Sequence, residues 1–475
     1  MKKIITIFTL SFLIMSCSKD IHELNENKKD FATTTDVAQL NTAQQKLFTQ
    51  LTEANVNSNI FRLIVQQWTE TTYTDESNYD LKTRRIDENH WETLYKDVIR
   101  NLIESKSLVT GEDNVKNNKL AILELYEIYS YYVLVTSFGD IPYAEAMNID
   151  LLNPRFDNQK TIIEDLLVRI DTNVIDKFDT NVVGFSVSED VIYNGDISKW
   201  KKFANSLKLQ IGMLLADIDP TKANTTVSAA ITSGVFTSSA DNMKISYEGA
   251  APYTNPVYAA LVLSGRDDFV PTATMINMMN TLNDPRRNDY FTLKDGAYLG
   301  APHGEVNLFG NYSHVSENIA NEPTLDAPLM TYFEVEFLIS EAIERGFIPG
   351  SAAEHYNNAV EASILYWGGT SVEATAYLSQ ATVDYTTSNG SYKQKIGTQK
   401  WLALYNRGFE AWTEWRRLDF PVIAAPAGAE TTNDLPPLRL TYPTVELSLN
   451  ATNLNAASVS IGGDMMETKL FWDIN

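Results

Sequence analysis

Along most of this chain apolar residues recur with the spacing of one helix face. From Thr161 to Phe178 they fall at 163, 166, 167, 170, 174 and 178, a single stripe on an α-helix. Leu329 to Arg345 is a second such run, with Gly346 behind it as a stop. Ala353 to Trp367 is a third, closed by Gly368-Gly369, and Lys393 to Arg417 a fourth, closed by Pro421. The most apolar stretch, Leu120 to Phe138, holds Glu124 and Glu127 and reads as a buried helix rather than a membrane span. Long irregular stretches separate the helices. Gln67 to Asn89 is polar and aromatic, Ser246 to Pro271 is rich in Pro, Tyr, Gly and Asn, and Asp295 to Pro328 carries Gly, His, Asn and Tyr. Ala424 to Asn455, with Pro436-Pro437 and Pro443, is expected to be extended. These loops hold too many aromatic residues to be simple disorder, and loops of such length in a compact domain tend to be functional. No clean repeat and no composition break is visible. The pattern predicts one mainly α domain over 46–475.

The N-terminus has a different character. Lys2 and Lys3 precede an apolar segment from Ile4 to Met15, and Ser16-Cys17 follows. A basic start, an apolar stretch and a small residue make a secretory signal, and the segment is short of the about 20 residues a spanning helix needs. Cys17 is the only cysteine of the chain, and it stands where a lipoprotein signal is cut and acylated. Met15 is a less usual occupant of its slot. The expectation is a removed signal over 1–16, lipidation at Cys17, and a polar tether over 17–45. With its thiol acylated, the mature chain has none left for disulfides, nucleophilic catalysis or cysteine metal ligation.

Charge narrows the partners. Sixty-one acidic residues stand against 38 Lys and Arg, a net charge of −23, which repels nucleic acid and acidic lipid headgroups alike, leaving membrane attachment to the acyl chains. The sequence carries no dinucleotide fingerprint, phosphate loop, nucleophile elbow or His-Glu-x-x-His pair. Its five histidines are scattered, His303 and His314 sharing one loop; no metal, cofactor or catalytic residue is assigned. Glu334, Glu336 and Glu341 share one predicted helix and read as a solvated or hydrogen-bonded face. A glycosidase pair assembled from distant carboxylates is not visible in sequence.

The aromatic residues are informative: 23 Tyr and 8 Trp. Neutral sugars lay their C–H faces on aromatic rings while polar side chains take the hydroxyls, and rings with a polar handle serve half-wet. Two loops offer that mix. The first contributes Trp68, Tyr73, Asp75, Asn78, Tyr79 and Arg84; the second Tyr298, Asn311, Tyr312 and His314. Trp91, Trp200, Trp401, Trp412 and Trp415 lie in helical patterns and read as packing residues.

Several motifs in order resemble the SusD/RagB family of surface lipoproteins, in its divergent SusD-like branch. After Cys17 come Trp91-Glu-Thr-Leu94-Tyr95, then a helix from Tyr126 ending in Phe138-Gly139-Asp140-Ile-Pro142-Tyr143-Ala-Glu145-Ala146, then Asn153-Pro154-Arg155-Phe156-Asp157. Tyr193-Asn194-Gly195-Asp196 with Trp200, Asp284-Pro285-Arg286, the Glu334 to Gly346 helix, Gln399-Lys400-Trp401 through Trp412-Thr-Glu414-Trp415-Arg416-Arg417, and Pro437-Leu-Arg439-Leu-Thr-Tyr442-Pro443 complete the series. Gln210 and Gly212 depart from it, standing where a basic and a small apolar residue are expected. The resemblance implies tetratricopeptide-like helical hairpins with long irregular loops, a SusD-like α-superhelical scaffold. It implies an outer-membrane lipoprotein, exposed at the cell surface, that captures an oligosaccharide, or in some branches a peptide or glycoconjugate, for a SusC-like TonB-dependent transporter. A lipid-anchored glycoside hydrolase is the competing class, and turnover of a glycan would reveal it. The motifs mark architecture; no ligand-contacting residue transfers by motif.

Overall fold

The computed structural model describes residues 34–474, so the signal segment and Cys17 lie outside the described residues. The chain is mainly helical. The longer helices are α1 (Asp36–Thr52), α2 (Arg100–Leu108), α3 (Asp113–Phe138), α4 (Gln159–Arg169), α5 (Ile197–Leu214), α6 (Pro220–Ser233), α7 (Ala273–Thr281), α8 (Tyr332–Glu344), α9 (Ala352–Tyr366), α10 (Ser371–Leu378), α11 (Tyr392–Ala403), α12 (Gly408–Leu418) and α13 (Ala451–Ile461). Strands are short and pair only in twos: β1 (Trp68–Glu70) with β5 (Phe269–Pro271), β2 (Ile141–Pro142) with β3 (Phe156–Asp157), and β4 (Met243–Ile245) with β6 (Ala327–Met330), all antiparallel.

Local chemistry fixes most helix ends. Thr35 caps α1, its Oγ1 accepting from the Ala38 amide at 3.1 Å, so the segment read as tether through residue 45 is helical from Asp36. Asp196 caps α5, accepting from the Ser198 and Lys199 amides, and Asp219 with Pro220 opens α6. Thr331 and Glu334 form a capping box on α8. The stripe read from Thr161 to Phe178 is buried at all six positions, with α4 running on as a π-helical turn over Ile170–Ile175. Two readings are corrected. Lys393 to Arg417 is two helices, α11 and α12, broken at 404–407. The stretch from Ala424 is extended only to Pro443; Thr444–Leu449 and α13 are helical.

Helical hairpins α5–α6, α8–α9 and α11–α12 pack in a row, α8 lying against both α5 and α11, and α3, buried almost throughout from Ala121 onward, packs against α2, α4 and α5. The two acids in its middle are held by cations from neighbouring helices: Lys106 binds both Glu124 and Glu127, and Arg169 reaches each at 2.7 Å. Burial alone would raise Glu124, but these partners outweigh it and hold the carboxyl at about 2. Among the described residues no helix is long and apolar enough to cross a membrane.

The ordered motifs are joints of this scaffold. Gly139 ends α3 at φ +90°, and the Phe138 carbonyl accepts from both Nε and Nη2 of the buried Arg439. The Asp140 carboxylate accepts the Gln159 amide, and its carbonyl accepts the Tyr442 hydroxyl. Asp284 and Arg286 form a fully buried pair at 2.6 Å. The tryptophans read as packing residues are buried, with indole N–H groups of Trp200, Trp401, Trp412 and Trp415 donating to Asp190, Val65, Pro437 and Pro421. Glu334 pairs with Arg407, and Glu341 with Arg417 at 2.6 Å. These acids are core ion pairs, so the face is hydrogen-bonded, one of the two forms read from the sequence, rather than solvated.

Candidate functional site: a loop platform beside a cavity

The short ladder between β1 and β5 sets the geometry. Trp68 faces Pro271, Thr69 faces Val270 and Glu70 faces Phe269, which brings the loop after Glu70 alongside the stretch that ends at Pro271. A third segment docks on this edge. The Gly304 amide donates to Thr69 Oγ1 at 3.2 Å and the Asn307 amide to the Thr71 carbonyl at 2.9 Å. Asn78 binds the segments together: its Nδ2 donates to the Gly304 carbonyl, and its own carbonyl accepts from the Glu430 amide. A side chain at Gly304 or Gly428 would collide with Asn78 Oδ1, at 2.6 and 2.7 Å from the added Cβ. The two loops singled out in the sequence therefore meet, joined by a third around residues 426–430.

Within this platform the predicted residues separate into two groups. Tyr73 projects at 69% exposure, its backbone in the left-handed region. Asp75 and Asn311 are exposed, and Val306 and Leu308 stand out beside them on either side of Asn307. Tyr312, half-buried, donates to Asn307 Oδ1; His314 stacks on Phe309 with centroids 3.9 Å apart. Tyr298 donates to Asn288 Oδ1 at 2.6 Å, under the guanidinium of Arg287. Trp68 and Tyr79 are corrections. Trp68 is buried against Phe269 and donates to the Tyr405 hydroxyl. Tyr79 is fully buried beside His303, and burial raises its hydroxyl well above the ordinary range. Neither ring can reach a ligand. Arg84 is committed to Glu76, and Asn78 to the loop junction.

Beside the platform lies a cavity of about 800 Å³ between the inner face of α1 and the loop 245–266, within the size range of small-molecule sites, about 300–1,000 Å³. Asn255 pins that loop, donating to the Pro323 and Leu325 carbonyls. Gln44 and Glu53 line the helix side; Tyr247 and Tyr253 line the loop side. Arg266 links cavity and platform. It lines the cavity while its guanidinium binds Glu70 and Asp268, each at 2.6 Å. Burial, reinforced by Glu76, raises the Glu70 carboxyl to about 8; Asp268 already shares its guanidinium. Burial also raises Glu53, to about 7. The sequence flagged the Ser246 to Pro271 stretch as irregular and aromatic but gave no reason to select its residues, and Gln44 and Glu53 look like ordinary helix positions until α1 is placed. Among the described residues no group of three or more His, Cys, Asp or Glu is arranged to hold a metal ion.

The arrangement suits a ligand that is part ring-face and part hydroxyl. Tyr73 on the platform and Tyr253 at the cavity are exposed rings, and amide and hydroxyl side chains such as Asn41, Gln45, Ser246 and Thr254 line the cavity, which is the chemistry of saccharide binding. A family model described as "Starch-binding associating with outer membrane" (SusD-like) matches residues 28–443. Solved structures share the fold closely. A chitin-binding protein superposes with a TM-score of 0.78 at 25% identity, covering 93% of this chain and 100% of its own. A SusD homolog from Bacteroides uniformis gives 0.78 at 25% identity, covering 92% and 99%. A chitin-binding SusD homolog from Flavobacterium johnsoniae gives 0.77 at 21%, covering 93% and 97%. A search of curated proteins finds no significant match. With its helical scaffold, its ordered joints and a family match over most of its length, the chain belongs to the SusD-like family of starch-binding, outer-membrane-associated proteins.

Proposed function

We propose that this protein captures an oligosaccharide at the cell surface and delivers it to a SusC-like TonB-dependent outer-membrane transporter, held to the membrane by acyl chains on Cys17. The observation that carries the reading is a pair of exposed rings, Tyr73 on the platform and Tyr253 at the cavity, linked through Arg266, which lines the cavity and binds Glu70 of β1. The chitin-binding relatives add support for a glycan as the ligand class. The protein acts by binding, without turnover. Glu334 and Glu341, away from the cavity, serve the fold, each bound to an arginine.

A glycan array probed with the lipid-free protein from Ser18 onward, read for retention and for cleavage, tests this. Retention of one glycan class without cleavage is the expected result. Replacing Tyr73 and Tyr253 by alanine should weaken binding of that glycan by at least about tenfold, the weight of one hot-spot contact, with the thermal midpoint unchanged. Cleavage of a retained glycan would move the protein to the hydrolase class, and retention of peptides alone to the peptide-binding branch.

A further inference from the structure

Three side chains of the cavity wall, Gln44, Glu53 and Glu248, offer acceptors to its interior. Gln44, at 2% exposure, donates through Nε2 to the Tyr126 hydroxyl at 2.8 Å and leaves Oε1 without a partner. Glu53 and Glu248 both line the cavity; Glu53 takes a side-chain hydrogen bond from Ser58 and feels the charges of Arg62 and Lys46, which do not offset its burial. The cations nearby are taken up elsewhere. Arg266 is bound by Glu70 and Asp268. Arg62, behind Glu53, donates to the carbonyls of Thr52, Glu53 and Asn406. Lys46 is turned to Asp97 at 3.5 Å. A buried acceptor without a donor, such as Gln44 Oε1, is costly, and a carboxylate in a partly buried wall gains from a close counter-ion. The group that satisfies such a wall is rich in donors and has no acceptor, which describes an ammonium. The half-buried Tyr247 adds an aromatic wall to the same cavity, the kind of surface that attracts a cation. The net charge of −23 favours the approach of a cation over that of an anion.

We infer that the cavity selects a saccharide bearing a free amine, an amino sugar in its cationic form, with Glu53 and Gln44 as the acceptors that hold the amine. This rests on the glycan-capture reading above and names the ligand class within it. Burial raises Glu53 to about 7 against the Ser58 hydrogen bond and the charges of Arg62 and Lys46, and a bound ammonium supplies counter-charge from the cavity side.

Calorimetric titration of the lipid-free protein at neutral pH with a glucosamine tetramer and with its fully N-acetylated counterpart tests the inference. The free-amine oligomer is expected to bind about tenfold more tightly. That advantage should shrink in high salt and vanish in Glu53→Gln. Equal affinity for the two oligomers, or a preference that survives in Glu53→Gln, overturns the inference while leaving glycan capture standing. Failure to bind either of these or any saccharide on the array removes the glycan reading itself, and this inference with it. Should Glu53→Gln not fold, Glu248→Gln at the exposed rim together with the salt dependence decides the matter.

Discussion

At position 210 the family pattern leads to the expectation of a basic residue, and Gln210 occupies it. Its Nε2 donates to Glu410 Oε2 at 2.8 Å, while Glu410 Oε1 accepts from the Tyr129 hydroxyl at 3.0 Å. Glu410 is fully enclosed, and burial raises its carboxyl despite Arg407 nearby. A carboxyl pushed toward its neutral form needs a hydrogen bond more than a counter-charge, so an amide suffices there. His90 shows the same economy of charge. It is fully buried among Phe61, Phe138 and Phe409. Ser137 Oγ already donates to the Val133 carbonyl, so it accepts from His90 Nε2–H at 3.2 Å, and His90 Nδ1 accepts from Gln50 Nε2 at 2.9 Å. Burial lowers the ring to about 3. Below its ordinary pKa of about 6.5 the unfolded chain binds a proton that the native ring refuses, so stability is complete above that value and falls as the pH drops toward 3. Nitrogen NMR of the histidine rings should find His90 as the Nε2–H tautomer, untitrated down to about pH 4. A midpoint near 6 for that ring would show the assignment to be wrong.

Between elements, close approach decides what periodicity cannot. The apolar pattern runs unbroken from Lys393 to Arg417 because both α11 and α12 bury a face, yet the chain folds back between them. Asn406 turns at φ +63°, and Gly408 lies against the backbone of the short helix Phe61–Ile64: an added Cβ would sit 2.4 Å from the Arg62 nitrogen and 2.7 Å from the Phe61 carbonyl carbon. Backbone atoms cannot rotate away, so Gly408→Ala should cost about 1–3 kcal/mol as an overpacking change, seen as a lowered thermal midpoint. Gly310→Ala, with open space around the new methyl group, should leave the midpoint unchanged. The helical runs and the Trp-rich joints were legible in the sequence because a buried stripe at helical spacing has one meaning. The site was legible only in part. Trp68, Thr69 and Glu70 are all buried in β1, so a polar and aromatic mix that resembles a wet loop is in fact an enclosed strand whose Glu70 is matched to Arg266 from 196 positions away. The cavity wall had no local signal at all, because Gln44 and Glu53 acquire their meaning only when the loop 245–266 closes over α1.

At the scale of the molecule, the two ends of the described chain belong to one apolar cluster that runs from Leu40 to Trp472. The tail after α13 returns to the joint at the end of α3: Leu470 lies 3.1 Å from where a Cβ on Gly139 would stand, and the Arg416 guanidinium is held between the rings of Trp412 and Trp472, at 3.5 and 4.8 Å from their centroids. Arg416 also donates to the Thr136 and Leu438 carbonyls, so α12, the end of α3 and the C-terminal stretch share one buried cation. Removing Trp472 takes away both packing volume and one face of that cation's enclosure, and burial has already lowered the Arg416 pKa to about 9. Trp472→Ala should therefore cost about 3–5 kcal/mol, as for other large-to-small core changes. Because the cluster is continuous, the loss should lower the midpoint of the whole unfolding transition in calorimetry rather than release the tail as a separate early step. A tail that melted alone, with the main transition unmoved, would mean that the stretch after α13 is an appendage and that the core closes without it.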